Sequence, residues 1–441
     1  NTGVAYGATW TTNDVIGIAF DADAGSLTFY KNGVSQGVAF SGLTSGPYYF
    51  AIGDGSGTNT FTGWFNFGQR PFAYTPPSGY KSLCTYNLPT PTIQNGANYM
   101  AATLYTGNGS TQSIVNAVNG VSFKPDLVWV KLRSTSSSWH NLCDSVRGVS
   151  TRLASNSTSA EAYVGSGLAT YAFNTNGFSV GDDAAGGYDV NGSVGGTYSG
   201  AAQYVGWQWK AGGTAVTNNA GSIASQVSAN TTAGFSVVTF TSPSSFTNAT
   251  IGHGLGVAPS MIITKSRTST GGWVVWHTSL GVNGYLALDS TSASGTNSQA
   301  YNGTSSTTFT IGSNSWWQSA AQNWVAYCFA AIPGYSAFGS YTGNASSDGP
   351  FVYLGFRPRW LLIKASGTTG NWFVVDTSRS TYNIMGEFLF PDLSDAAATS
   401  SVIDVLSNGF KIRSAGSSIN VSYSLIYAAF AENPITNSLA R

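Results

Sequence analysis

The stretch "PDLVWVKLRSTSSSWHNLCD" at residues 125–144 returns as "PSMIITKSRTSTGGWVVWHT" from Pro259 and as "PRWLLIKASGTTGNWFVVDT" from Pro358. In each copy a lysine (Lys131, Lys265, Lys364) stands six residues after the proline, and a tryptophan (Trp139, Trp273, Trp372) stands eight after the lysine. Proline at the head of a strand gives up a backbone donor where none is needed. The runs that follow, "LVWV", "MIIT" and "WLLI", are apolar on both faces, as in a strand covered from both sides. The lysine ends the run, small polar residues turn the chain, and the tryptophan opens a return strand. Each copy therefore reads as a hairpin.

The agreement extends outward from this hairpin. Each copy begins with a strand led by an aromatic: "YMAATLYTGNGS" (99–110), "FSVVTFTSPSS" (235–245) and "YSAFGSYTGNASS" (335–347). Each has a later short strand, "NGFSV" (176–180), "TTFTI" (307–311) or "NGFKI" (408–412), and closes on "VGWQWK" (205–210), "VAYCFAAIP" (325–333) or "IYAAFAENP" (426–434). Self-similarity of this kind decides the fold. It also resolves "AAQNWVAYCFAA" (320–331), which alone could pass for an alanine-rich helix. Its partner "VGWQWK" puts Val205, Trp207 and Trp209 on one face and Gly206, Gln208 and Lys210 on the other, and a period of two means a strand.

The expected fold class is all-β: tandem antiparallel β-sandwiches of jelly-roll or lectin-like type, set in a row, with very little helix. The expected divisions are a first unit at 1–92, a repeat at 97–211, a flexible linker at 212–233, a second repeat at 234–333 and a third at 334–441. The linker "AGGTAVTNNAGSIASQVSANTTAG" (211–234) has only small and polar residues apart from a few aliphatics. Repeats two and three meet directly through "IPG" (332–334) and should pack together.

The first unit holds "DVIGIAFDADAGSLTFYKNG" (14–33), in which Ile16, Ile18 and Phe20 share one face and Asn32-Gly33 marks a type I′ hairpin turn. Further strands are expected at "YYFAIG" (48–53) and "GWFNFGQRPF" (63–72). With "FNFGQRPF", this text resembles the C-terminal half of a SPRY domain. The resemblance implies a β-sandwich whose loops bind protein partners, beginning upstream of Asn1 or left incomplete.

Composition narrows the function. Charged residues make up 8% of the 441, with 18 basic and 18 acidic, while aromatics reach 14% and glycines number 54. No Lys/Arg cluster exists, so no nucleic-acid footprint is present, and no apolar run is long enough to insert in a membrane. Cys84, Cys143 and Cys328 match neither a disulfide framework nor a metal-site spacing. His140, His253 and His277 are scattered and read as structural, and no nucleophile elbow or phosphate loop occurs. "GDDAAGGYDVNG" (181–192) gathers Asp182, Asp183 and Asp189 without an EF-hand spacing, so it reads as a polar loop. No cofactor and no metal are implied.

The candidate ligand-binding residues are Lys131, Trp139, Asp144 and Arg147 in the first copy and Lys364, Trp372, Asp376 and Arg379 in the third. A lysine, an aromatic and an acid at a hairpin could bind a sugar. The favoured reading needs no ligand: they fix the hairpin, with the lysine stem over the tryptophan or its amine on the acid. The second copy has Thr278 and Gly281 near the Asp-x-x-Arg positions.

The three units, above all "GHGLGVAPSMIITKSR" (252–267), resemble repeated β-domains of tail-fibre and other virion proteins of tailed bacteriophages. That resemblance implies a non-enzymatic structural or adhesive protein located in a virus particle. Its implied partners are other virion proteins, copies of itself in a homo-oligomer such as a trimer, and host-surface glycans. The alternatives are a secreted bacterial adhesin and a hydrolase of surface polysaccharide.

Overall fold

The computed structural model describes the whole chain except residues 1–4, 44–47, 49, 53–61, 85, 86, 88–90, 119, 136, 137, 166, 182–188, 193–201, 246, 314–316, 318–320, 417 and 433–441. The chain forms two units, Asn1–Pro89 and Thr90–Arg441. Its regular structure is almost wholly antiparallel strands.

In the first unit, Ile16–Asp21, Ser26–Lys31 and Val34–Phe40 form a three-stranded sheet. The Asn-Gly turn is made as its sequence requires: Asn32 and Gly33 take φ of 49° and 80°. Asp21 Oδ1 accepts from the amides of Asp23 and Ala24 and so closes the preceding turn. Ile16, Ile18 and Phe20 are exposed on this sheet. Residues 63–72, expected as a strand, form no ladder. There Asn66 and Gln69 side chains bond the local backbone, which ties up the groups that strand pairing would use. Of the expected strand 48–53, residues 48 and 50–52 are irregular, and 49 and 53 lie outside the described residues.

In the second unit each repeat builds an inner sheet in the same order: first strand, closing strand, lysine strand, return strand. In repeat one these are Met100–Thr106, Gln203–Trp209, Leu127–Leu132 and Asn141–Asp144. In repeat two they are Phe235–Thr241, Asn323–Phe329, Met261–Ser266 and Val274–His277. In repeat three they are Ser336–Thr342, Ser424–Ala431, Pro358–Ala365 and Phe373–Asp376. A second, outer sheet covers one face of each, for instance Asn248–Gly252, Thr308–Gly312 and Tyr301–Thr304 in repeat two. Every lysine strand is buried along its length. This is the two-sided covering that its unbroken apolar run called for.

Residues 212–233 are not a flexible linker. Val216–Asn218 and Ser225–Asn230 add two strands to one edge of the inner sheet of repeat two, and Gly284–Ala287 and Gly295–Thr296 add two to the other, which makes eight. "SQVSAN" alternates, and Val227 points into the core of that repeat.

The other inner-sheet faces meet in a common core drawn from all three repeats. The repeats therefore close on one another as a ring and do not stand in a row. At its centre Trp209, Phe329 and Phe430 form a triangle, with ring centroids 6.3, 5.8 and 6.0 Å apart. The three hold one position: each lies opposite the residue two after its repeat's proline, namely Leu127, Met261 and Trp360. The predominantly edge-on ring contacts suit the aromatic quadrupole. At one point of closure Gly96, where repeat one begins, approaches the carbonyl of Ala431, where repeat three ends; a Cβ on Gly96 would lie 2.7 Å from that oxygen.

Candidate functional site

The recurring residues converge at the three seams between repeats. Each lysine ammonium donates to a carbonyl of its own strand end and to a loop carbonyl of a neighbouring repeat. Lys265 Nζ reaches Thr158 O in repeat one at 3.2 Å, Lys364 Nζ reaches Thr291 O in repeat two at 3.2 Å, and Lys131 Nζ reaches Ser394 O in repeat three at 3.2 Å. Thus two clasps one, three clasps two, and one clasps three. The lysine neither stacks on its own tryptophan nor pairs with the acid that follows. Each lysine is still paired within its inner sheet, opposite Val205, Val325 or Ile426, and only its side chain crosses the seam.

The tryptophans repeat the pattern. Trp273 Nε1 donates to Ala154 O and Trp372 Nε1 to Ala287 O, both across a seam at 2.8 Å. In repeat one this role passes to His140, whose Nε2 donates to Phe390 O at 3.0 Å. His140 Nδ1 accepts from Trp129 Nε1, which fixes the tautomer. The backbone agrees: the amides of Trp273, Trp372 and His140 donate to Asp289, Asp392 and Asn156 in turn. Repeat one has one extra residue in this turn, so Trp139 falls outside the position and is half-buried.

At the end of each return strand sits a second triplet. The residues opposite Leu127, Met261 and Trp360 are Asp144, His277 and Asp376. The true counterpart in repeat two is therefore His277, not Thr278. All three cap the chain that follows: Asp144 and Asp376 accept amides two and three residues on, and His277 Nδ1 accepts from Ser279 N at 3.1 Å. All three also reach across a seam. Trp207 Nε1 donates to Asp376 Oδ2 and Tyr327 Oη to Asp144 Oδ2, each at 2.9 Å, while His277 Nε2 donates to Tyr427 O at 3.1 Å. Ala428 occupies the place of Trp207 and Tyr327 in the closing strand. A short acid thus accepts from a large aromatic side chain, whereas the imidazole reaches the backbone carbonyl of Tyr427, next to Ala428.

The Asp-x-x-Arg pairs form as buried ion pairs, Arg147 Nε to Asp144 Oδ2 at 2.5 Å and Arg379 Nε to Asp376 Oδ2 at 2.6 Å. Arg379 also lies over the Trp207 ring, 5.5 Å from its centroid. Glu161 of repeat one joins Arg147 to Arg267 of repeat two. Burial sets the charge states. It lowers Lys131 to about 7 and Lys265 and Lys364 to about 8, against the pull of Asp395, Asp289 and Asp392 respectively. It lowers His277 to about 4 and drives His140 well below its ordinary value. It raises the Asp392 carboxyl to about 6 and the Cys143 thiol to about 12.

Of the residues singled out from sequence, Lys131, Asp144, Arg147, Lys364, Trp372, Asp376 and Arg379 are therefore buried in seams and engaged by the protein itself. There the lysines make hydrogen bonds between repeats in place of the lysine–tryptophan stack or lysine–acid pair expected within the hairpin. Sequence reasoning read His140 and His277 as structural without their place in the seams, and it missed Tyr327, Trp207 and the carbonyl acceptors. Of the acidic loop at 181–192, Asp182 and Asp183 lie outside the described residues. Asp189 is buried, and its Oδ1 accepts the amides of Asn191 and Gly192. Among the described residues no three His, Cys, Asp or Glu side chains gather where a metal could bind. Among them, too, no helix is long and apolar enough to cross a membrane.

Comparison with known proteins divides the chain at the same place. A domain of unknown function, DUF7483, matches residues 95–434, and the SPRY domain matches residues 1–70. An E3 ubiquitin-protein ligase, RKP of Arabidopsis thaliana, is 42% identical over 82 residues, which is 18% of this chain and 6% of that relative. The chain thus spans only a small part of the length of that relative.

Proposed function

This chain belongs to the DUF7483 family over most of its length, and we propose that it is a non-enzymatic structural and attachment protein. On this reading the ring is a rigid scaffold joined to a SPRY domain that contacts other proteins, and its outer surface meets host glycans. The observation that carries the reading is the use made of the rare charges. In a chain with 8% charged residues, the conserved-in-repeat lysines, acids and arginines are buried at seams and hold repeats together. The surface left over is rich in Ser, Thr and Asn, suited to hydrogen-bonding sugar hydroxyls. The placement in a phage particle, as a tail-fibre or capsid-attached fibre, rests on the resemblance of the three repeats, above all of residues 252–267, to virion β-domains.

The test is binding of the intact protein to a panel of surface glycans, with the chain length of each glycan measured afterwards. Saturable binding with intact glycans is expected. Shortened glycans would replace the reading with a hydrolase, and no binding to any glycan would remove the attachment role. Antibody labelling of virions under the electron microscope distinguishes a fibre from a free adhesin.

A further inference from the structure

We propose that the seam between repeats one and three binds a small carboxylate anion between Arg379 and Arg133. The sister seam between repeats two and one holds such a carboxylate. There the Glu161 carboxylate accepts from Arg147 Nη1 at 2.9 Å, Arg267 Nε at 3.1 Å and Arg267 Nη2 at 2.9 Å. Each of these residues has a counterpart. Arg379 corresponds to Arg147, since each stands three after its seam aspartate and gives Nε to it. Arg133 corresponds to Arg267, since each stands two after its clasp lysine. Ala397 corresponds to Glu161, since the Glu161 amide donates to Arg267 O and the Ala397 amide to Arg133 O, both at 2.9 Å.

A methyl group therefore stands where the sister seam has a carboxylate, yet both arginines are kept. Their N–H groups carry the mark of the exchange. Arg379 Nη1 and Arg133 Nε, the counterparts of donors that hold Glu161, are buried without a hydrogen-bond partner among the described residues. The Arg379 side chain is fully buried. The acids nearby are committed elsewhere: Asp376 takes Arg379 Nε, and Glu387 takes Arg133 Nη1 at 3.1 Å. Two guanidinium donors that meet one carboxylate in the sister seam call for a planar oxyanion. Arg133 and Glu387 are partly exposed and open the seam to solvent. The seam between repeats three and two lacks both parts, with Ser294 and Ser366 at the Glu161 and Arg267 positions, and serves as an internal contrast.

The test is thermal unfolding of the full chain in sodium formate against sodium chloride at equal ionic strength, for the native protein and Ala397→Glu. Formate is expected to raise the native Tm saturably by about 2 °C. Ala397→Glu should raise Tm without formate and abolish the response. Equal shifts in both proteins, or none in the native one, would overturn the proposal. Should Ala397→Glu fail to fold, line broadening of ¹³C-formate by the native protein and by Arg133→Lys decides: binding weakened at least tenfold supports the site, and unchanged binding sinks it.

Discussion

Acid should loosen the ring through His277, and the size of the effect follows from its contacts. Nε2–H is held by Tyr427 O across the seam, and Nδ1 accepts the Ser279 amide. A proton on Nδ1 would face that amide donor. Burial accordingly lowers the group from 6.5 to about 4. The unfolded chain binds more protons between those values, so stability is complete above pH 6.5 and is lost as pH falls toward 4. From pH 7.5 to pH 4.5 the loss is about 2.5 kcal/mol for this one side chain. Asp392 works in the opposite sense, because its carboxyl, raised to about 6 by burial, takes up a proton in the folded state and adds stability as pH falls. The total profile is thus partly cancelled, and the His277 part must be isolated by difference. His277→Asn does this, since Asn can still cap Ser279 and cannot ionise. Urea unfolding of both proteins at pH 7.5 and 4.5 should show the native protein losing about 2.5 kcal/mol more than the variant. Parallel pH profiles would refute the reasoning.

Other substitutions test other joints. Asp376→Ala leaves the Arg379 guanidinium unpaired and the Trp207 N–H without its acceptor, and should cost about 3–5 kcal/mol in chemical unfolding, much of it recovered by adding Arg379→Met. Phe329→Ala opens the aromatic triangle and should cost about 3–5 kcal/mol by the same assay. Gly177→Ala places a Cβ 1.9 Å from Ile114 O at a φ of 150°, so amide exchange should show the outer sheet of repeat one opening while repeats two and three stay protected.

The repeat, the strands and the two-sided burial of the lysine strands were legible because period and composition carry them. The partners of the lysines were not, because Thr158, Thr291 and Ser394 act through backbone carbonyls, which leave no trace in residue type. The constant lysine–tryptophan spacing even misleads. One extra residue in repeat one keeps Trp139 at the same distance while handing its role to His140. The same shift hides the match of His277 with Asp144 and Asp376. Ring closure was illegible for a related reason: the triangle of Trp209, Phe329 and Phe430 reads in each copy as an ordinary buried face, and only the joined structure shows that the three faces meet. The polar "SQVSAN" strand carried one buried valine, too little signal to set it apart from a linker.

Closure of the ring is tested most directly by amide exchange at three equivalent positions. The Glu161, Ser294 and Ala397 amides each cross a seam to a carbonyl, those of Arg267, Ser366 and Arg133, at 2.9 Å. The first two seams join neighbours in sequence, and the third joins the last repeat to the first. A closed ring requires the Ala397 amide to be protected to a degree comparable with the other two. Protection of Glu161 and Ser294 with Ala397 exchanging at the rate of an unstructured amide would mean an open row of domains and would contradict the account.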